Sequence, residues 1–371
     1  MAQIEVESAL IEPESLKEFC YQLLLQANLT EHDAGLVADT LVESNLRGID
    51  SHGVARLPHY LERIRQQSIQ PRPEMQWEPL GDAVGRVDGD HGLGQLAMVK
   101  AADHAVELAR DSGAGWVSIC NSSHCGALAY YGLRIAEAGM IGFAFTHVDP
   151  MVTPHGAAEP FCGTNPICMT APGKEGKSLC LDMATSITPW NTIANAATEG
   201  VSIPGDWALD ANGRGTTDPN EVVALFPFGG FKGSGLGLMI DVLCALLGGA
   251  PIGPDIPKMY GDLTQRRLLG GMVGAIDISR FTEVETFQDR IEELIQRWGA
   301  VKPLKEGGKV YYPGEPEALT RVERLQSGIP VGLRLINQFN ELASAGGLPP
   351  LETTEPVCED VTSSEVEVSP T

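Results

Sequence analysis

The amino-acid sequence predicts an α/β fold, and two kinds of pattern support this prediction. Apolar residues recur every three or four positions in segments such as 13–27 and 284–298, which is the spacing of amphipathic helices. Short apolar runs, such as 83–88 and 115–120, are typical of strands. With 371 residues, of which 43% are hydrophobic and 20% charged, the chain can bury a substantial core that is divided into subdomains.

The chain opens with two predicted helices. Residues 13–27 carry one apolar stripe, and a second stripe follows after Thr30. Thr30 is the predicted N-cap of the second helix, because Asp33 stands three residues further on and apolar positions follow at helical spacing. The pair Arg47-Gly48 is the predicted end of this helix.

The segment GIDSHGVARLPHYLERIRQQ, residues 48–67, carries the first candidate site residues. If Ser51 caps a helix, then His52, Arg56 and Tyr60 lie on one face at successive steps of four. Such a face can hold an anionic substrate, since an arginine binds a carboxylate through two parallel hydrogen bonds. Pro58 is expected to kink this helix because it removes a backbone hydrogen bond. The alternative interpretation is a solvated histidine and arginine on a surface helix.

A proline-bearing connection at residues 71–79 predicts a subdomain boundary before the strand at 83–88. Next, Gly92, Gly94 and Ala97 have the spacing of a dinucleotide-binding turn. However, the preceding strand is short and polar, and no apolar strand that ends in an acid follows at the usual distance. We therefore interpret this turn as the close-packed start of a helix.

Residues 121–173 contain most of the reactive and backbone-special residues, and we predict that they form an active-site wall. His124 lies in a small-residue turn between the strand at 115–120 and a helical pattern at 127–137, a position at which side chains commonly reach ligands. The glycines and prolines that alternate up to residue 173 predict a tightly bent chain. Taken alone, His124 also fits a buried histidine with satisfied hydrogen bonds.

The second half of the chain offers two further candidates. Asp182 stands near the end of a strand predicted at 178–185, and Lys232 lies in a glycine-rich turn that opens an apolar helix through residue 247. Lys232 fits either a phosphate contact or a solvated lysine. The remaining predicted elements are a turn-rich segment at 201–214, a strand at 274–278, a helix at 284–298, a basic loop at 302–313, helices at 316–327 and 331–345, and an acidic disordered tail.

Charge and composition exclude several classes of partner. The net charge of −23 argues against nucleic acid and against an anionic membrane surface. A signal peptide and a bilayer-spanning apolar run are both absent from the sequence, so we expect a cytoplasmic protein. The eight cysteines form no C-x-x-C pair and are expected to be reduced. The histidine spacings match no metal motif, so no metal site is predicted.

Several motifs, taken together and in order, resemble the type 2 malate/L-lactate dehydrogenase family. They are GIDSHGVARLP at 48–58, NSSH at 121–124, GTNP at 163–166, APG at 171–173, LDMA at 181–184 and FKGSG at 231–235. The resemblance implies a mixed-sheet, non-Rossmann cofactor domain at residues 76–315. It also implies a helical subdomain made from residues 1–75 and the C-terminal helices at 316–346. The acidic, proline-bearing composition predicts that residues 347–371 form a disordered tail.

The resemblance further implies an oxidoreductase that uses NAD, with NADP as the alternative. The implied reaction interconverts a 2-hydroxy acid and a 2-oxo acid in a homodimer. Other members of the family reduce cyclic imino acids such as piperideine-2-carboxylate, or 2-oxo acids such as sulfopyruvate and diketogulonate, and these substrates stay open as alternatives.

Individual roles follow from the resemblance position by position. His124 is the implied acid/base residue, and His52 is its relay or electrostatic partner. The implied substrate-binding residues are Ser51, Arg56, Tyr60 and Thr164. The implied cofactor-binding residues are Val148, Asp182, Met183, Ala184, Lys232, Lys305, Glu306 and Gly307.

Overall fold

The computed structural model describes residues 7–353 and 357–358. These residues form ten α-helices, which are α1 Pro13–Gln26, α2 Glu31–Leu46, α3 Leu57–Arg65, α4 Gly94–Ser112, α5 Ala129–Glu137, α6 Trp190–Glu199, α7 Phe231–Asp241, α8 Val284–Gly299, α9 Glu315–Ser327 and α10 Leu333–Ala345. Two 3-10 turns, Asp50–His52 and Val54–Arg56, precede α3, and a π-helical turn, Val242–Leu246, extends α7.

The strands are β1 Glu7–Ile11, β2 Gln76–Gly81, β3 Val84–Asp88, β4 Ala114–Ser122, β5 Met140–Thr146, β6 Ile167–Ala171, β7 Leu179–Met183, β8 Ala208–Leu209, β9 Ala224–Leu225, β10 Leu269–Asp277, β11 Ile329–Gly332 and β12 Val357–Cys358. Seven of them form one sheet in the order β2-β3-β4-β10-β5-β6-β7. In this sheet β3 and β4 are parallel, and the other neighbours are antiparallel. The mixed sheet confirms the predicted α/β class and differs from the parallel sheet of a Rossmann fold.

Strand directions bring the candidate residues to one edge of this sheet. Both β4 and β5 run antiparallel to β10, so they run parallel to each other and end on the same side. Two further antiparallel steps, through β6, give β7 the same direction. His124, Val148 and residues 182–184 therefore all lie at or just beyond the carboxyl ends of these strands.

The two ends of the chain share a second core. β1 pairs antiparallel with β11, and α1, α2, α3 and α10 pack their apolar faces together. Leu16, Leu41, Leu57 and Phe339 are fully buried in this cluster. A separate cluster lies between the large sheet and helices α4 and α5, where Val117, Ala144 and Val273 face the alanines of α4.

The single helix predicted to start at Ser51 is not formed. The segment is instead split into two 3-10 turns at Gly53, whose ψ of −147° is not helical. A Cβ atom at Gly53 would lie 2.1 Å from the side-chain oxygen of Asn45, which occupies that space. Pro58 does not kink a helix either, because it stands in the first turn of α3, where its missing N–H is not needed.

Three further segments differ from the prediction. The connection predicted at 71–79 contains part of β2, an edge strand that tolerates Pro79 because one of its sides has no strand partner. The helix predicted from Val331 begins at Leu333, after β11. In the predicted tail, Leu351 is buried and Val357–Cys358 pair with β1, so these residues are part of the fold. Residues 354–356 and 359–371 of the predicted tail lie outside the described residues.

Within the described ranges, no helix combines the length and the apolar character that crossing a membrane requires. The same ranges contain no group of three or more histidine, cysteine or acidic side chains arranged to hold a metal ion. The seven cysteines before Cys358 are free thiols that are buried in the fold.

Candidate active site

The turn that carries His124 is held by the start of α4. A Cβ atom at Gly94 would lie 2.3 Å from the Ser123 carbonyl oxygen and 2.7 Å from that of His124, so only glycine allows this approach. The Ser123 hydroxyl donates a hydrogen bond of 3.0 Å to the carbonyl oxygen of Gly92. These contacts agree with the interpretation of the Gly92–Gly94 turn as a close-packed helix start.

His124, Tyr60 and His52 form one cluster. Nδ1 of His124 is 2.6 Å from the Tyr60 hydroxyl and 3.3 Å from the Gly126 backbone N–H. The His52 ring stacks on the His124 ring, with 5.5 Å between centroids, and Nδ1 of His52 is 2.9 Å from the Ser51 hydroxyl. Because Nδ1 of His124 faces two donors, we infer that the resting neutral ring carries its hydrogen on Nε2.

Arg56 closes the cluster on the solvent side and is held by three segments of the chain. Its Nε donates a hydrogen bond of 2.6 Å to the Ser51 carbonyl oxygen, and one terminal nitrogen contacts the Tyr260 hydroxyl. The other terminal nitrogen is 3.5 Å from the side-chain oxygen of Asn191 on α6. The predicted substrate residues Ser51, His52, Arg56 and Tyr60 thus lie together beside His124.

Burial and positive charge keep these imidazoles neutral. Burial, assisted by the nearby Arg56, lowers the pKa of His124 well below its ordinary value and that of His52 to about 4. Burial and the nearby Arg63 also lower the pKa of His59, which precedes Tyr60 on α3, to about 4. Burial also raises the pKa of Tyr60. At neutral pH, the free site therefore contains neutral histidines next to a permanent cation.

These displaced pKa values predict acid lability. In the unfolded chain the three histidines titrate near pH 6.5, so between about pH 6.5 and 4 the unfolded state binds more protons than the folded state. The free energy of unfolding should consequently fall as the pH is lowered through this window. Melting temperatures measured between pH 7.5 and 4.5 test this, and His59→Gln should make the fall shallower. An equally steep fall in His59→Gln and wild type would contradict the assignment.

Arg63 fastens the loop that bears Tyr260. The Arg63 side chain is 2% exposed and donates hydrogen bonds to the carbonyl oxygens of Lys258 at 3.2 Å and Met259 at 2.9 Å. It also donates to the Gln265 carbonyl oxygen at 3.0 Å and to Nε2 of His59 at 3.0 Å. These contacts fix the position from which Tyr260 reaches Arg56.

A buried ion pair between Arg267 and Asp149 also contacts the loop that bears Tyr260. Arg267 lies 2.5 Å from a carboxylate oxygen of Asp149, and the two residues are 2% and 7% exposed. The other carboxylate oxygen accepts a hydrogen bond of 3.2 Å from the Met259 backbone N–H. The pair therefore links the end of β5 to the segment that precedes β10.

The predicted cofactor residues of the central segments meet around Asn165. The Asn165 side chain, which is fully buried, accepts a hydrogen bond of 3.4 Å from the Val148 N–H and donates to the Gly237 carbonyl oxygen of α7 at 2.9 Å. The neighbouring Thr164 carbonyl oxygen accepts a hydrogen bond of 2.8 Å from the Thr185 N–H, directly after Met183 and Ala184. Thr164 and Asn165 thus connect the segments that follow β5 and β7 to helix α7.

Asp182 and Lys232 offer groups of opposite charge. The Asp182 carboxylate accepts a part-buried hydrogen bond of 2.7 Å from the Ala129 N–H at the start of α5. Partial loss of hydration raises its pKa to about 6, against the effect of this hydrogen bond. Lys232 is exposed in the first turn of α7, which has no side-chain N-cap. A cation beside a helix N-terminus suits a phosphate, and a carboxylate suits ribose hydroxyls, so these residues fit a dinucleotide.

The third predicted cofactor segment is the loop with Lys305, Glu306 and Gly307. These residues are exposed. The end of the loop is fastened to β7, because the Cys180 N–H donates a hydrogen bond of 2.9 Å to the Pro313 carbonyl oxygen. The loop is therefore attached two residues before Asp182, while its tip extends into solvent.

Several residues of this site were not predicted from the sequence. Tyr260, Asn191, Arg63 and Asn165 all hold predicted site residues in place. Asn165 stands inside the GTNP motif, so a signal for it was present. The contacts of Arg63 and Tyr260 join residues about 200 positions apart, and local patterns carry no information on such pairs.

A neutral histidine and an arginine lie in one cluster at the carboxyl edge of a mixed sheet, and their chemistry suits proton exchange with a small anionic molecule. Residues 11–340 match the family model described as malate/L-lactate dehydrogenase. The chain belongs to the malate/L-lactate dehydrogenase family and is an oxidoreductase.

Individual relatives agree with this membership. The chain is 37% identical to ureidoglycolate dehydrogenase (NAD(+)) from Escherichia coli strain K12, over 86% of this chain and 92% of the relative. The structure of malate dehydrogenase from Pyrococcus horikoshii OT3 matches with a TM-score of 0.84 and 33% identity, covering 93% of this chain and 97% of that one. Sulfolactate dehydrogenase from Methanocaldococcus jannaschii matches with a TM-score of 0.86 and 32% identity, covering 91% and 98%.

Proposed function

We propose that the protein is an NAD-dependent dehydrogenase that interconverts a 2-hydroxy acid and the corresponding 2-oxo acid in the cytoplasm. The observation that carries the proposal is the contact of His124 with Tyr60 beside Arg56, since this cluster combines a proton-exchanging group with a carboxylate-binding group. The names of the ureidoglycolate, malate and sulfolactate relatives support the substrate class. Free thiols throughout the described fold support a reducing compartment.

Arg56 fixes the substrate in this proposal. Its guanidinium binds the substrate carboxylate through two parallel hydrogen bonds and exchanges its contacts with Tyr260 and Asn191 for this purpose. Holding the carboxylate still makes the subsequent transfer effectively intramolecular, which lowers the barrier. The carboxylate also neutralises the positive charge of Arg56, so the pKa of His124 rises toward the pH at which the histidine can exchange a proton.

His124 exchanges the proton of the substrate hydroxyl at Nε2, the ring nitrogen that does not contact Tyr60. His52 stacks on the ring and restricts its orientation, and the Ser51 hydroxyl in turn restrains His52. When bound, the nicotinamide cofactor supplies or accepts the hydride. In this proposal Lys232 binds its phosphates and Asp182 its ribose, with Val148, Met183, Ala184 and residues 305–307 as further contacts. Thr164 lies against the substrate.

The experiment that tests the function follows reduced-nicotinamide absorbance with NADH and NADPH separately. The panel contains oxaloacetate, pyruvate, 2-oxoglutarate, sulfopyruvate and piperideine-2-carboxylate, with ureidoglycolate plus NAD in the oxidative direction. We expect turnover of at least one 2-oxo or 2-hydroxy acid with NADH or NAD. The matching amides, which lack the carboxylate, serve as the control and should not react. Turnover of the imino acid alone would replace the proposed reaction by imine reduction.

We further propose that the enzyme is a homodimer that buries the outer face of α7. Apolar side chains on α7 and its π-helical extension are exposed, among them Phe231 at 67%, Met239 at 55% and Leu246 at 59%. An apolar helix face of this extent is typical of a protein interface. Light scattering should give a dimer for the wild type and a monomer for Met239→Glu. The matched control is Val201→Glu, which changes an exposed valine outside α7, and it should stay dimeric. A dimeric Met239→Glu protein would exclude this face.

A further inference from the structure

Gln95 lies behind the Tyr60–His124 pair and has no role in the reaction described so far. It follows Gly94 in the first turn of α4 and is 0% exposed. Within the described part of the chain, both polar atoms of its side-chain amide are buried without a hydrogen-bond partner. A buried unpaired polar group destabilises the fold by about 1–3 kcal/mol, and an apolar side chain at this position would avoid that cost.

Close packing explains why the amide lies at this position. Gly94 presses against the backbone of Ser123 and His124, so the residue that follows must point behind the same turn. The amide nitrogen of Gln95 is 3.9 Å from the place where a Cβ atom of Gly126 would stand. The amide also lies close enough to Tyr60 to lower the pKa of the Tyr60 hydroxyl, against the larger effect of burial. Gln95 is thus directed at the atoms that surround Nδ1 of His124.

Proton exchange at Nε2 of His124 places a requirement on these atoms. Both the imidazolium that donates a proton from Nε2 and the neutral ring that remains carry a hydrogen on Nδ1. In that state the Tyr60 oxygen, 2.6 Å away, must accept a hydrogen bond from Nδ1. The Tyr60 hydroxyl can then no longer donate to Nδ1, and its own hydrogen needs another acceptor.

We propose that Gln95 is a positioning residue whose amide oxygen accepts the hydrogen bond of the Tyr60 hydroxyl whenever Nδ1 of His124 is protonated. In the resting tautomer, Tyr60 donates to Nδ1 and the Gln95 amide has no hydrogen-bond partner. In the active tautomer, Tyr60 accepts from Nδ1 and donates to the amide oxygen, which then gains a partner. No proton leaves the Tyr60–Gln95 pair. His124 exchanges protons with solvent when the ring changes tautomer, and it exchanges the substrate proton at Nε2.

This role rests on the proposed dehydrogenase function, yet it can be tested without substrate. The charged and titratable groups that face His124 are Tyr60, Arg56, His52, Arg267 and His59, and all of these residues are retained when Gln95 is replaced. Gln95→Leu removes the acceptor, which disfavours a hydrogen on Nδ1. Gln95→Glu keeps an acceptor and adds a negative charge, which favours that hydrogen. The two variants should therefore shift the His124 pKa in opposite directions, lower for leucine and higher for glutamate.

The experiment combines nitrogen-15 NMR of the histidine rings with kinetics. We expect Gln95→Leu to lower kcat about 10- to 100-fold in both directions, as a part of the usual acid/base contribution, and to leave the Kd for NADH within about twofold. Gln95→Glu should retain more activity than Gln95→Leu. The matched control is Gln288→Leu on α8, whose amide is 3.5 Å from the Gly173 carbonyl oxygen, and it should behave as wild type.

Two results would overturn the proposal. One is a Gln95→Leu enzyme with wild-type kcat and unchanged His124 nitrogen shifts, and the other is a pKa shift of the same sign in both variants. If Gln95→Leu does not fold, Gln95→Glu and its opposite control Gln95→Met still provide the comparison. If the wild type oxidises no 2-hydroxy acid with either cofactor, the dehydrogenase function fails, whereas the NMR comparison still decides whether Gln95 sets the tautomer.

Discussion

His124→Ala is expected to lower kcat by about a hundred- to ten-thousand-fold, the contribution of a positioned acid/base group. Tyr60, Arg56 and the strand ends would remain, so substrate and cofactor should still bind. The Kd for NADH, measured by fluorescence, should therefore stay within about threefold of wild type. Stopped-flow and steady-state rates in both directions give the size of the effect.

Two controls make this result specific to His124. His104 lies on α4 and stacks on Trp77 of β2, away from the candidate site. His104→Ala should therefore leave the rates unchanged. His52→Ala removes the ring stacked on His124 and should have a smaller effect than His124→Ala, because His52 only restrains the reacting ring. If His124→Ala retained near-normal turnover while His52→Ala lost it, the acid/base role would move to His52.

Arg267→Met is expected to destabilise the fold by about 3–5 kcal/mol, the usual consequence of removing one partner of a buried ion pair. The Asp149 carboxylate would keep only the hydrogen bond from the Met259 N–H, in a place that is 7% exposed. Urea unfolding gives the free-energy difference. The control is Arg266→Met, one residue earlier and exposed, which should change stability by less than about 0.5 kcal/mol.

A double replacement separates the cost of an unpaired charge from the value of the pair. Asp149→Leu combined with Arg267→Met removes both charges and should recover a large part of the stability lost in Arg267→Met, since apolar substitutes often match a buried pair. If the loss in free energy of unfolding of the double variant equalled the sum of the losses of Arg267→Met and Asp149→Leu, the two residues would act independently.

Local patterns predicted much of the fold, because the elements concerned depend on neighbours in sequence. The helix from Pro13 and the N-cap by Thr30, whose hydroxyl accepts a hydrogen bond of 3.1 Å from the Asp33 N–H, are determined within one or two turns. The same holds for β4, α5 and α8, whose apolar spacing follows their burial. Short strands such as β2 and β11 were missed because pairing, not local propensity, forms them.

The candidate site was predicted in part for a similar reason. The family resemblance brought Ser51, His52, Arg56 and Tyr60 to one surface with His124, and the structure places them together. The segment from Ser51 to Tyr60 was predicted wrongly as one helix. The helix is broken at Gly53, where the Asn45 side chain packs, and a local sequence pattern does not show that contact. The cofactor roles of the other residues stay predictions.

The pairing of β1 with β11 has a consequence for biosynthesis. Asp50, beside Ser51 and His52, is bound by Arg324 of α9 at 2.7 and 3.0 Å, although Arg324 is made 274 residues later. The large sheet needs nothing beyond β10 and can assemble while the ribosome is still translating. The surface around the candidate site closes only once residues 324–332 have emerged, so a product truncated after β10 would contain the sheet but lack this closure.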